Sequence, residues 1–230
     1  MKRLAFGVLA ALPAPALAQS YQCAPPALTA PVRPVAPDGP ARRVPITGYT
    51  LAASWSPEYC KTARDTRSMQ CSAANGRFGF VLHGLWPEGR GSAPQWCRTA
   101  PLPSASILRP YLCMTPSAQL LAHEWAKHGS CMVSTPAKYF KVSAILWRSI
   151  RWPDADRLSR KQDLTAGALR DEFVAANRGW QRESVGIEAS RTGWLREVHL
   201  CYGRDFRPVR CSRAQFGLAD KAPLKIWRGL

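Results

Sequence analysis

The chain has 230 residues, 46% of them hydrophobic, with eight cysteines and 32 Lys and Arg against 15 Asp and Glu, a formal charge of +17. The apolar share is ample for a core, yet beyond the N-terminus no run reaches the roughly 18 uninterrupted apolar residues of a membrane span, which argues against membrane insertion. The basic residues are scattered and form a broad field that favours a polyanionic partner; such charge supplies encounter rate and salt-sensitive affinity without identifying any chemistry.

In chain order, Lys2 and Arg3, an apolar run from Leu4 to Leu12 and Ala16-Leu17-Ala18 before Gln19 have the layout of a secretory signal peptide over residues 1–18. Its removal leaves about 210 residues, enough for one domain of good size or two small ones, without an internal repeat. A secreted or periplasmic chain with eight cysteines reads as four disulfides. Counting alone allows 105 connectivities, although Cys60 with Cys71 and Cys201 with Cys211 would each close a hairpin-sized loop. No Cys-x-x-Cys zinc knuckle is present.

Residues 19–45 are dense in Pro and Ala and predict an extended arm of polyproline character, pinned to the body by Cys23; the rest, 46–230, is read as the folded domain. Gly48 to Trp55 predicts a strand with Tyr49, Leu51, Ala53 and Trp55 on one face, ended by Ser56-Pro57. Asn75-Gly76 signals a turn, and Arg77 to His83 predicts a second strand whose Phe78, Phe80 and Leu82 share a face, sending His83 to the opposite one. Thr115-Pro116 predicts a helix start and Gly129 its stop. Helices are expected over 137–150 and 166–177, a late strand over 194–202 carries His199, and 152–164 and 179–193 read as loop.

Three of the four histidines fall in two short segments, His83-Gly84-Leu85-Trp86-Pro87 and His123-Glu124-Trp125-Ala126-Lys127-His128-Gly129-Ser130-Cys131. Histidine gives or takes a proton near neutrality, so two of them suit an acid and base pair. The second segment invites comparison with the zinc-protease pattern His-Glu-x-x-His, but its histidines are five apart, which on an α-helix rotates His128 about 140° from His123. The spacing aligns Glu124 with His128 and His123 with Lys127 instead. Taken singly, a histidine at a strand end is ordinarily a packing or surface residue, and His199 keeps that reading; Trp125 reads as core, and Glu124 with Lys127 would otherwise be a solvated helix surface.

The two segments, with Phe80-Val81-Leu82 ahead of the first, resemble the active-site motifs of the T2 family of secreted ribonucleases, Ser130 standing where threonine is more usual. The similarity extends to Leu51, Trp55, Pro57 and Cys60 upstream and to Cys201 and Cys211 downstream. The proline arm with Cys23, and Leu120-Leu121-Ala122 where aromatic residues often precede the second motif, depart from the family's pattern. The resemblance implies a single α+β domain with a central, mainly antiparallel sheet flanked by helices. It also implies an endoribonuclease needing no cofactor or metal, in which the ribose 2′-hydroxyl attacks the adjacent phosphorus and a 2′,3′-cyclic phosphate forms.

By that resemblance His128 takes the hydroxyl proton, His83 protonates the leaving oxygen, Glu124 orients His128, and His123 and Lys127 bind the phosphate. The acid and base assignments rest on the family, since the sequence permits the reverse. Trp86 resembles the family's base-stacking residue, with Glu88 a candidate for base edges. The resemblance pairs Cys97 with Cys131, and Cys23 and Cys113 remain by elimination. RNA is the implied partner, DNA at most an inhibitor, and the chain a monomer. A basic RNA- or polyanion-binding protein of the same fold without turnover is the alternative; a zinc peptidase is more distant.

Overall fold

The computed structural model describes residues 20–28 and 31–229; the signal peptide expected over 1–18 lies outside them. In chain order the described elements are β1 (Ser20–Tyr21), β2 (Ile46–Trp55), α1 (Ser56–Thr62), β3 (Arg77–Phe78), β4 (Phe80–Gly89), α2 (Ala105–Leu108), α3 (Ala118–Glu124), α4 (Ser130–Met132), α5 (Pro136–Ser149), α6 (Ala155–Leu158), α7 (Ala166–Ala176), β5 (Val185–Ala189), β6 (Leu195–Gly203) and α8 (Arg213–Phe216). β4, β2, β6 and β5 form, in that order, an antiparallel sheet, and β1 pairs with β3 in a small second one. The architecture is an α+β open sheet flanked by helices.

Period-two alternation gives this sheet two different faces. Leu51, Ala53 and Trp55 of β2, Leu82 and Leu85 of β4, Val198 and Leu200 of β6 and Ile187 of β5 join one core with Phe140 and Trp147 of α5 and Phe173 of α7. The opposite face carries Thr50, Ser54, His83, Trp86, Glu88, Glu197 and His199, tied to one another by side-chain hydrogen bonds and ring contacts.

One irregularity decides which residues reach that polar face. Leu82 pairs with Ala53 and Gly84 with Ala52, leaving His83 as the extra residue of a β-bulge. On an uninterrupted strand, positions 83 and 86 would point to opposite sides; the bulge resets the alternation, so Leu85 returns to the core and Trp86 joins His83. β4 therefore does not end at His83, as the alternation predicts, but continues to Gly89.

Several expected boundaries shift for identifiable reasons. The helix of the second histidine segment starts at Ala118, with Ser117 as N-cap accepting from the Leu120 N–H. Thr115 bonds elsewhere. Its buried hydroxyl donates to the Leu82 carbonyl at 2.7 Å while the Leu82 N–H donates to the Met114 carbonyl, which ties the edge of β4 to the chain entering α3. Gly129 is not a stop. It has helical φ and ψ, the chain stays helical to Met132, and a Cβ at Gly129 would lie 2.6 Å from the Trp125 ring and 2.7 Å from that of Tyr139; the missing side chain permits a close approach.

Within 179–193, expected as loop, the short edge strand β5 forms because Val185 and Ile187 alternate with Gly186 and Glu188. α6 likewise interrupts the loop expected over 152–164. Four disulfides join Cys23 to Cys113, Cys60 to Cys71, Cys97 to Cys131 and Cys201 to Cys211. Among the described residues no helix is long and apolar enough to cross a membrane.

Candidate active site

The two histidine segments meet at Glu124. Its carboxylate, 3% exposed, lies between His83 and His128, with Oε1 3.6 Å from His83 Nε2 and Oε2 4.0 Å from His128 Nε2. Glu124 Oε2 accepts a 2.7 Å hydrogen bond from the Trp86 indole N–H. Gly84 makes this possible, since a Cβ there would lie 2.0 Å from that carboxylate oxygen. Helical spacing predicts a direct Glu124–His128 contact; 4.0 Å is beyond hydrogen-bonding reach. Two local features account for the difference: the indole takes the carboxylate oxygen, and residues Trp125–Gly129 form a π-helical turn in which the Ser130 N–H reaches the Trp125 carbonyl. The wider i→i+5 turn changes the angular spacing on which the α-helical expectation rests, as such turns often do at functional sites.

Glu197 of β6 completes the cluster, and the sequence reading missed it. Its Oε1 is 2.7 Å from His83 Nδ1 and accepts the Ser54 hydroxyl at 2.6 Å, while Oε2 is 3.0 Å from His199 Nε2. His199 is accordingly no surface histidine: it is buried on the polar face, and its ring meets Trp86 edge-on with centroids 5.5 Å apart. The one available signal was His199 itself, since residues two apart on a strand share a face.

The surroundings drive the two central histidines in opposite directions. Burial disfavours the charged form of His83, but the Glu197 hydrogen bond and the charges of Glu124 and Glu197 more than offset it and raise its pKa. His128 is pushed down to about 3 by burial and by the positive charges of Lys127, His123 and His83, so it is neutral. Its Nδ1 is buried without a hydrogen-bond partner among the described residues. Burial raises Glu124 to about 7 against the opposing influence of His83 and the Trp86 N–H. Glu197 is likewise buried, yet hydrogen bonds from His199, His83 and Ser54 hold its carboxyl far below the usual range. An imidazole biased toward its protonated form and a neutral one thus flank one buried carboxyl group, a set able to give a proton on one side and take one on the other.

Lys127 and His123 lie on the solvent side of this centre beside the arm. Lys127 Nζ donates to Asp38 Oδ2 at 2.8 Å, and His123 Nε2 is 3.7 Å from the same oxygen. Glu88, two residues beyond Trp86 on the same face, is not in the histidine cluster. Its Oε1 accepts the Thr50 hydroxyl at 2.6 Å, and it borders a separate cleft of about 700 Å³ with Tyr49, Tyr202, Arg210 and Gln215. Trp125 is core, 1% exposed. The described residues that bring three metal-ligating atoms within 4.8 Å of one another are Glu188, Glu197 and His199, and Glu197 already binds both His199 and His83.

Comparison with known proteins identifies the family. A sequence model of the Ribonuclease T2 family matches residues 47–162, half of the chain. A protein of Aeromonas hydrophila named "Ribonuclease" is 42% identical over 163 residues, covering 68% of this chain and 72% of its own. A "Probable ribonuclease" of Haemophilus influenzae is 30% identical over 192 residues, or 75% of this chain; the match spans 64% of that longer protein. Among solved structures, an RNase-related protein from Calystegia sepium superposes with a TM-score of 0.62 at 20% identity, covering 78% of this chain and 97% of that one. A variant of RNase MC1 in complex with 5′-UMP gives 0.59 at 19% identity, over 74% and 94%. The match spans both histidine segments and the strands and helices that join them, and by it the chain belongs to the Ribonuclease T2 family.

Proposed function

We propose that this protein is an exported endoribonuclease, acting in the periplasm or outside the cell, that cleaves single-stranded RNA by 2′-hydroxyl transphosphorylation without a metal ion. The observation that carries the reading is the opposite electrostatic bias of the two histidines beside Glu124. His128, neutral, takes the proton of the 2′-hydroxyl; the 2′ oxygen attacks phosphorus; His83, protonated, gives its proton to the departing 5′ oxygen. The products are a 2′,3′-cyclic phosphate and a free 5′-hydroxyl. Water then opens the ring with the roles reversed, His83 taking the proton of the water and His128 giving one to the 2′ oxygen.

The charge on the five-coordinate phosphorus needs fixed donors and cations. Lys127 and His123 supply them, with Glu124 holding the positive charge of His83 in place through Coulombic attraction. Trp86, half-buried and held by Glu124, offers its indole to a base, and Glu88 its second carboxylate oxygen to a base edge. Four disulfides suit an oxidising compartment, in keeping with export by the leader over 1–18, and the protein acts as a monomer.

Mass spectrometry of early products from an RNA oligonucleotide, beside one carrying a single 2′-deoxy position and with excess EDTA in both, tests the proposal. Cyclic phosphate ends from the first and no cut at the blocked position in the second are expected, with DNA at most inhibiting. Cutting at the blocked position, or loss of activity in EDTA, would overturn the mechanism; RNA binding without any turnover would leave a polyanion-binding protein.

A further inference from the structure

The proline-rich arm does more than wrap the domain, because it delivers one carboxylate to the groups that the proposed function assigns to phosphate. Asp38 Oδ2 accepts from Lys127 Nζ at 2.8 Å and lies 3.7 Å from His123 Nε2, and Oδ1 accepts from the Trp96 indole N–H at 3.2 Å. Three donors from two separate segments therefore converge on a single anionic group. Trp96 is positioned for this at a backbone φ of 52°, a left-handed conformation that bulky side chains rarely adopt. Its neighbours hold it there: Cys97 is bonded to Cys131, and the Trp96 N–H donates to the Lys127 carbonyl at 2.8 Å.

The arm is fixed on both sides of Asp38. Before it, the Arg33 N–H donates to Gln119 Oε1; after it, Gln95 Nε2 donates to the Pro40 carbonyl, and Arg42 pairs with Gln95 through two backbone hydrogen bonds. Pro34 and Pro37 restrict the backbone between these ties. Held in this way, the carboxylate is presented to the three donors at high effective concentration. Its side chain is 49% exposed, so it can rotate into solvent while the arm stays in place.

We propose that Trp96, His123 and Lys127 form an anion cradle for an RNA phosphate, and that Asp38 fills this cradle when RNA is absent, acting as a built-in competitor of substrate. The inference rests on reading the protein as RNA-cleaving, but it adds a residue outside both histidine motifs and gives the arm a role. RNA gains the cradle only by displacing the carboxylate, so apparent affinity is set partly by the arm. Trp96 becomes a phosphate ligand alongside the Lys127 ammonium and the His123 ring.

The test measures binding separately from turnover. A fluorescent, fully 2′-O-methylated RNA octamer, which cannot be cleaved by this route, and inorganic phosphate are titrated against wild type, D38N, D38A and a charge control, D163N, on the loop before α7. D38N and D38A should each tighten octamer binding about 3- to 10-fold, as expected for loss of one intramolecular charged competitor, and tighten phosphate binding in the same direction. D163N should change either by less than about twofold. In a K127M background the D38N gain should vanish, because the main donor shared by phosphate and carboxylate is gone. Unchanged or weaker binding in D38N and D38A, an equal gain in D163N, or a gain that survives K127M would each overturn the inference. RNA cleavage is scored in parallel on wild type, so a protein that binds as described but cuts nothing would refute the enzymatic reading and leave the cradle standing.

Discussion

Replacing Glu197 with Gln isolates the element of the site that local sequence least reveals. The amide keeps the size of the carboxylate and can still accept from His83 Nδ1, so packing is preserved while the charge is lost. A charge-assisted hydrogen bond is worth about 1.5–3 kcal/mol and a neutral one about 0.5–1.5, so the protonated form of His83 loses roughly 1.4 kcal/mol, or about one pKa unit. As the acid of the first step, His83 must be protonated, and its pKa sets the alkaline limb of the pH–rate profile. That limb, lying above the ordinary histidine value because the pKa of His83 is raised, should move about one unit toward acid in E197Q. On the alkaline side of both limbs this costs up to about 10-fold in kcat/KM, and the loss should shrink as pH falls toward 5. The assay is kcat/KM on a fluorogenic RNA from pH 4 to 9, with the His83 ring followed by NMR titration. An unmoved alkaline limb, or a loss that is the same at every pH, would refute the claim that Glu197 acts through the charge of His83.

Other consequences follow from the same geometry. Burial raises Glu124 to about 7, so its favourable contribution is complete below the unfolded value near 4.5 and disappears as pH rises through about 7. E124Q should therefore be more stable than wild type at pH 8, by roughly 3 kcal/mol, and lose that advantage at pH 4, while losing most activity; thermal unfolding at the two pH values checks the sign. His128→Ala should reduce RNA cleavage by about 100-fold or more, as removal of a positioned base does, and a near wild-type rate would exclude its assigned role. Arg170 is fully buried and donates to the carbonyls of Val185, Phe216 and Leu218 and to Asp220. R170M leaves those carbonyls unpaired and should cost about 3 kcal/mol, or about 6–12 °C in Tm for a domain of this size; a drop below about 3 °C would mean that water replaces the guanidinium.

The residues of this protein determine by themselves whatever depends on neighbours along the chain. Two histidine segments, the strand alternation around Leu51 and Phe80, the helices expected over 137–150 and 166–177 and the short Cys60–Cys71 and Cys201–Cys211 loops could all be read locally, because period and loop length are local properties. The weak edge strand β5 was missed because five residues with one glycine carry little pattern, and the contacts that order it come from β6 and Arg170. The site was legible as a set of residue types but not as an arrangement. Only the tertiary structure decides that His83 sits in a bulge and shares a face with Trp86, or that a π-helical turn and the Trp86 indole keep Glu124 off His128. The same holds for Glu197, 114 residues further along the chain, holding His83 and for Asp38, 89 residues earlier, reaching Lys127. Such contacts form because separate elements bury against one core and bring their polar faces together, and pairing across that distance has no period in the chain from which it could be read.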